Sequence, residues 1–186
     1  MNENFLLSLK QGNEKAFHEL YNMYSDKIYR FAYTLKRDEE FAENLVQETF
    51  VKVFQNIKSF KIDKNLTNPL KSWIYKIAKN HAFNEMKKIK REMHVIEGSK
   101  VYETMGSSKN KIEQLVIEKE QLKIVYNKLE SFSFKKKTTF ILFFIEELTA
   151  DEVAIIMKEN RGSTLKRLQR LKEELKYALS KEEGYE

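Results

Sequence analysis

Three groups of side chains have types and spacings that could do chemistry. Arg161, Ser163, Thr164, Lys166, Arg167 and Arg170 crowd into about three turns of the helix marked by Leu165, Leu168, Leu171, Leu175 and Leu179. An arginine can hold guanine by two parallel hydrogen bonds, a hydroxyl can serve any base edge, and lysines or further arginines meet phosphates. A second group lies between Lys58 and Arg91, where ten Lys or Arg residues face two acidic ones. Lys61, Asp63, Lys64 and Asn65 fall in a stretch without periodicity, and Lys76, Lys79 and Asn80 in the helix after it, among Trp73, Tyr75 and Phe83. Positive charge that tracks a backbone, beside pockets that hold a base, suits single-stranded or unstacked nucleic acid. Trp73 also sits in the apolar stripe of its own helix and reads first as core. Asn80 lies beside that stripe and is either a surface amide or a base reader. The third group, Glu43, Asn44, Gln47 and Glu48, is polar and opposes an apolar stripe; by spacing alone it reads as a solvated face.

Helices must position all three groups. The stripe Phe41, Leu45, Val46, Thr49, Phe50, Val53 and Phe54 recurs at three- and four-residue steps, predicting an amphipathic helix over Phe41–Ile57 opened by Asp38-Glu39-Glu40. Gly12-Asn13 separates a short first helix from a longer one, with Asn13 as N-cap and Phe17, Leu20, Tyr21, Tyr24, Ile28, Phe31, Ala32 and Leu35 inward. Pro69 suits the first turn of a helix from Leu70 to about Arg91 that buries Leu70, Trp73, Ile74, Ile77, Ala78 and Ala82. Gly98-Ser99 and Gly106-Ser107-Ser108 mark a flexible linker over residues 93–111, between a first domain (1–92) and a second (112–186). The second domain starts with a helix through Ile112, Leu115, Val116, Leu122, Val125, Tyr126 and Leu129. Phe134–Ile145 reads as buried helix because no partner strand is nearby. Thr149-Ala150-Asp151-Glu152 is a capping box that starts a short helix ending by Lys158. Short helix, turn at Glu159–Gly162, then a longer basic helix is a helix-turn-helix layout.

Composition agrees. Five glycines and one proline among 186 residues point to an all-α chain, two small helical domains joined by the linker. With 41% hydrophobic residues there is material for ordinary cores, and a net charge of +6 suggests a polyanionic partner. The chain has no cysteine, which excludes disulfides and thiolate metal sites and is natural in a reducing cytosol. The start lacks a secretory signal, and the longest apolar run, Phe140–Ile145, is far too short to span a bilayer. A cytoplasmic protein without a membrane span is expected. His18, His81 and His94 are scattered, and no nucleophile–base set, phosphate-cradling loop or metal-ligand spacing appears. No catalytic residue, metal or cofactor is expected.

Several strings resemble one family. Ala42-Glu43-Asn44-Leu45-Val46-Gln47-Glu48-Thr49-Phe50 is similar to the "AEDLVQETF" helix of sigma-70 factors of the extracytoplasmic-function (ECF) group. Gly12–Tyr21 resembles the family opening, Trp73–Asn80 its "WLYRIARN" segment, and Glu147–Met157 its "GLSYEEIAEIL" helix. Arg161-Gly162-Ser163, Arg167-Leu168 and Arg170 resemble the start of its recognition helix. The resemblance implies a σ2-like bundle and a σ4-like helix-turn-helix domain. In σ2, Glu43, Asn44, Gln47 and Glu48 would dock on the β′ clamp helices of core RNA polymerase. Lys61, Asp63, Lys64, Asn65, Lys76, Lys79 and Asn80 would melt and hold the −10 element of promoter DNA. In σ4, which would bind the β flap, Arg161, Ser163, Thr164, Lys166, Arg167 and Arg170 would read the −35 duplex. An anti-sigma protein is the implied regulator. Three departures stand out: the stretch from Phe60 to Leu70 is longer than the family's compact loop and lacks glycine, Ser133 stands where proline is common, and Lys158 stands where the helix-turn-helix usually has glycine. The rival readings are a stand-alone helix-turn-helix regulator whose first half dimerises or senses, a helical interaction protein with merely solvated basic faces, and, furthest off, a nuclease.

Overall fold

Asn13 and Asp38 punctuate the first third of the chain, each with a side-chain oxygen closing the start of a helix. The computed structural model describes residues 3–96 and 124–182, and the chain divides into two units, residues 1–105 and 106–186. The linker expected over 93–111 falls outside the described residues from 97 onward, as do residues 112–123 of the helix expected after it.

In the first unit α1 (Glu3–Lys10) ends at Gly12, whose φ of +80° turns the chain at no steric cost. Asn13 Oδ1 accepts from the Ala16 N–H (3.1 Å) and starts α2 (Glu14–Lys36). Arg37, left-handed at φ 58°, ends it, and Asp38 Oδ1 takes the Phe41 N–H (2.9 Å) to start α3 (Glu39–Asn56). After a short 3₁₀ turn (Ile57–Ser59) and an irregular stretch, Pro69 opens α4 (Pro69–Ile96). α3 packs between α2 and α4, with α1 against α2 and the 3₁₀ turn. Leu20, Ile28, Phe31, Ala32, Leu45, Val53, Ile74 and Ala78 fill the interior.

The expected stripes hold in the middle and shift at the edges. α4 runs past Arg91 to Ile96, because no glycine or proline stops it before Gly98. Tyr75, placed by sequence among the DNA-side aromatics, is instead fully buried (0% exposed), with its ring edge-on to Phe31 at 5.7 Å. Trp73 and Ile77 are only half-buried. Phe54, expected inside, is 60% exposed. It lies at the rim of the α2–α3 contact, where its ring meets Phe17 (4.8 Å) as Phe50 meets Tyr21 (4.7 Å).

In the second unit α5 (124–130) leads to Ser133, which caps α6 (Phe134–Phe140). The helix widens into a π turn over Ile141–Ile145, so the apolar run is helical as expected, but its end is not buried: Phe144 and Ile145 are exposed. α7 (Ala150–Met157) carries the expected capping box: Thr149 Oγ1 accepts from the Glu152 N–H (3.2 Å) and Glu152 Oε2 from the Thr149 N–H (2.9 Å). α8 (Arg161–Glu182) packs on α6 and α7, and Leu168 and Leu171 of α8 are buried, as are Val153, Ile156 and Leu142. Among the described residues there is no strand, and no helix is long and apolar enough to cross a membrane.

Lys158, where glycine would be natural, ends α7 in the left-handed region at φ 55°, and the Glu159 N–H returns to the Ala154 carbonyl (3.0 Å). A side chain there works against the backbone conformation. Lys158→Gly is therefore expected to stabilise the second unit by about 0.5–1 kcal/mol, read as a higher urea midpoint with unchanged slope. A lower midpoint would mean that the lysine side chain has a stabilising contact larger than this strain.

Candidate functional site

The polar side of α3 stands clear of the bundle. Ala42, Leu45, Val46 and Thr49 are buried, so Glu43, Asn44, Gln47 and Glu48 must point outward, and all four are exposed. They form a ridge between two open grooves. One, of about 500 Å³, is lined by Asn44, Gln47 and Glu48 with Lys36 and with His81 and Glu85 of α4. The other, of about 340 Å³, is lined by Glu43 and Gln47 with Tyr21, Asp26 and Tyr29 of α2. Gln47 borders both. Burial and then Lys52 push the His81 pKa down, against the opposing pull of Glu48 and Glu85, so the imidazole is neutral at physiological pH. Burial, then Glu39 and Glu43, push the Tyr29 hydroxyl up. The Lys36 ammonium (2.7 Å) and the Phe41 N–H hold the Asp38 carboxyl below its usual range. The ridge thus exposes carboxylates and amides, with an open groove on either side.

The second group is anchored by Phe60, which is buried with its ring 5.0 Å from that of Trp73. Lys61, Asp63, Lys64 and Asn65 are all exposed. Asp63 and Asn65 form the turn itself: Asp63 Oδ1 accepts from the Asn65 backbone and side-chain nitrogens, each at 3.0 Å, and the Asp63 carbonyl accepts from Leu66 (3.2 Å). Lys61 and Lys64 carry the outward charge. Lys76, Lys79 and Asn80 are half-buried on α4, where Lys79 Nζ donates to Asn80 Oδ1 at 3.3 Å. Trp73, Lys76 and Asn80 follow one another at i, i+3 and i+7, so they share a side of α4 next to the anchored end of the loop.

The helix-turn-helix divides the third group, and two of its expected DNA contacts are corrected. Thr164 is fully buried, and its hydroxyl donates to Glu159 Oε1 (2.8 Å). The Arg167 side chain is only 13% exposed. Its guanidinium takes both Glu159 oxygens and donates to Thr139 Oγ1 at 3.1 Å. Lys135 adds an ion pair to Glu159 Oε2 at 2.9 Å. Burial works to raise the Glu159 pKa, but hydrogen bonds from Arg167, Lys135 and Thr164 outweigh it and hold the group at about 2. A carboxylate inside the turn demands donors, and the inward side of α8 supplies them. Arg161, Ser163, Lys166 and Arg170 remain exposed, with Arg161 paired to Asp151 (3.0 Å) and the Ser163 N–H capped by Asn160 Oδ1 (2.7 Å). Gln169, a neutral amide without the charge or hydroxyl of its neighbours, is exposed among them. Among the described residues no three His, Asp or Glu side chains gather in a way that would hold a metal ion.

Comparisons with known proteins bear on the family and the fold. Residues 20–92, from within α2 almost to the end of α4, match the family model of sigma-70 region 2. The chain is 27% identical over 177 residues to the ECF RNA polymerase sigma factor SigW of Bacillus subtilis, covering 92% of each chain. It is 24% identical over 159 residues to the ECF RNA polymerase sigma factor SigM of the same organism, covering 85% of this chain and 91% of that protein. Among solved structures, the sigma factor RpoE in complex with the anti-sigma factor NepR from Bartonella quintana shares the fold, with a TM-score of 0.71 at 23% identity over 89% of this chain and 98% of that one. CnrH in complex with the cytosolic domain of CnrY gives a TM-score of 0.66 at 17% identity, covering 95% of each chain. Residues 20–92 thus match sigma-70 region 2, and over most of its length the chain is similar to ECF RNA polymerase sigma factors.

Proposed function

We propose that the protein binds core RNA polymerase and gives it promoter specificity, opening the −10 element and starting transcription. The observation that carries this reading is the exposed ridge of Glu43, Asn44, Gln47 and Glu48 between two grooves, inside the residues that match sigma-70 region 2. A stand-alone regulator would leave that ridge without a task. In this reading residues 1–92 dock the polymerase clamp helices through the ridge. Lys61 and Lys64 of the loop, with Lys76, Lys79 and Asn80 of α4, hold the melted −10 strand, and Asp63 and Asn65 shape the loop that presents them. Residues 112–186 engage the polymerase flap and place Arg161, Ser163, Lys166 and Arg170 on the −35 duplex, with the residues between the end of α4 and 112 linking the two. The protein makes and breaks no bond itself; the chemistry belongs to the polymerase. Its place of work is the cytoplasm, where polymerase and promoter meet. RpoE of Bartonella quintana is bound by the anti-sigma factor NepR, and a protein of that kind is the expected outside control.

Run-off transcription tests the division of labour. Sigma-free core supplied with this protein should transcribe a responsive promoter, and scrambling either the −10 or the −35 sequence should abolish most of the product. Phosphate neutralisation by both basic regions should also make promoter binding fall steeply with salt. Equal transcription from intact and scrambled promoters would overturn the reading.

A further inference from the structure

Burial of Thr164, Leu168 and Leu171 fixes which side of α8 faces away from the unit. Counting at 100° per residue, the opposite side is centred on Lys166 and Glu173, with Gln169 and Arg170 about equally far to its two sides and Leu165 at its edge, and all five are exposed. Gln169 is the neutral hydrogen-bonding side chain on that face. Its Nε2 donates to Glu173 Oε1 at 3.0 Å, one turn further along. A carboxylate only accepts, so it fixes which end of the amide faces it. The amide is left with Oε1 as an acceptor and its second N–H as a donor, which is the pair that adenine matches with N6–H and N7 in the major groove.

We propose that Gln169 is a specificity-determining residue that reads one adenine of the −35 duplex, and that Glu173 is a positioning residue that sets its amide. This rests on the reading of α8 as the duplex-reading helix. Lys166 and Arg170 hold the helix to phosphates or neighbouring bases. Gln169 is the group whose chemistry distinguishes A·T from the other pairs at its own position.

The test is transcription by the holoenzyme from promoters carrying each base at every −35 position. The wild type should prefer adenine at one position by about tenfold, the scale of one bidentate base contact. Gln169→Ala should flatten that position to within about twofold and leave the other preferences in place. Gln169→Glu should move the preference toward cytosine, whose amino group donates to a carboxylate. Glu173→Ala should lower the discrimination, and Glu173→Gln, which still offers an accepting oxygen, should restore it, whereas a role for Glu173 in charge alone would make the two variants behave alike. An unchanged profile for Gln169→Ala, or an equal loss at all positions, overturns the proposal while the −35 dependence of the wild type stands. A wild type with no preference at any −35 position overturns both this proposal and the assignment of α8.

Discussion

Arg167→Ala is expected to destabilise the second unit by about 3–5 kcal/mol, the scale for removing one partner of a buried ion pair. The loss is that large because Glu159 would keep its burial and lose its two-pronged donor, with only Lys135 and Thr164 still in reach. Removing both charges together, as in Glu159→Gln with Arg167→Met, should recover most of the loss, since a neutral pair of similar volume leaves nothing uncompensated. Acid should act on the same contact. Glu159 titrates at about 2 in the fold against its ordinary 4.5, so its contribution, about 3 kcal/mol, is complete above pH 4.5. It disappears as the pH falls from there toward 2, where the folded carboxylate finally takes a proton. Urea unfolding of the full chain at neutral pH and near pH 3 reads both effects. Glu159→Gln should lose less stability than the wild type between those two conditions. An Arg167→Ala protein as stable as the wild type would mean that the guanidinium does not hold the turn.

The second large effect belongs to the ridge. Gln47→Ala with Glu48→Ala should weaken binding to core polymerase on the order of 30-fold, about 2 kcal/mol, as removal of central interface contacts does. Both side chains are exposed and are not part of the bundle's interior, so the unfolding transition should stay where it is. That separation matters, because a loss of binding together with a loss of fold would say nothing about docking. An affinity within twofold of the wild type, measured on a folded variant, would remove the ridge from the interface.

What could be read in the sequence was what is local. Asn13, Asp38 and the Thr149–Glu152 box announce helix starts because each lies within four residues of the group it satisfies, and Pro69 because the first turn needs no N–H from it. The outward direction of Glu43, Asn44, Gln47 and Glu48 followed from the stripe on the other side of their helix. The sequence hid what depends on a distant partner. Thr164 and Arg167 look like DNA contacts until Glu159 is seen buried in the turn beside them, and Thr139, from another helix, completes their set. Tyr75 and Trp73 exchanged places for a related reason. The edges of a helical stripe are decided by which neighbour covers them, here Phe31 over Tyr75 and Phe60 against Trp73. Gln169 escaped because an amide carries no charge and, without the hydrogen bond from its Nε2 to Glu173, nothing marks it as positioned.

The most direct test of the central claim mixes the purified protein with sigma-free core polymerase and follows the two by size-exclusion chromatography, then offers the complex a promoter fragment from the same genome. Co-elution, followed by opening of the −10 region that neither component achieves alone, is the predicted result. Failure to join any matched core, with duplex binding by the free protein retained, would contradict it and leave a stand-alone DNA-binding regulator.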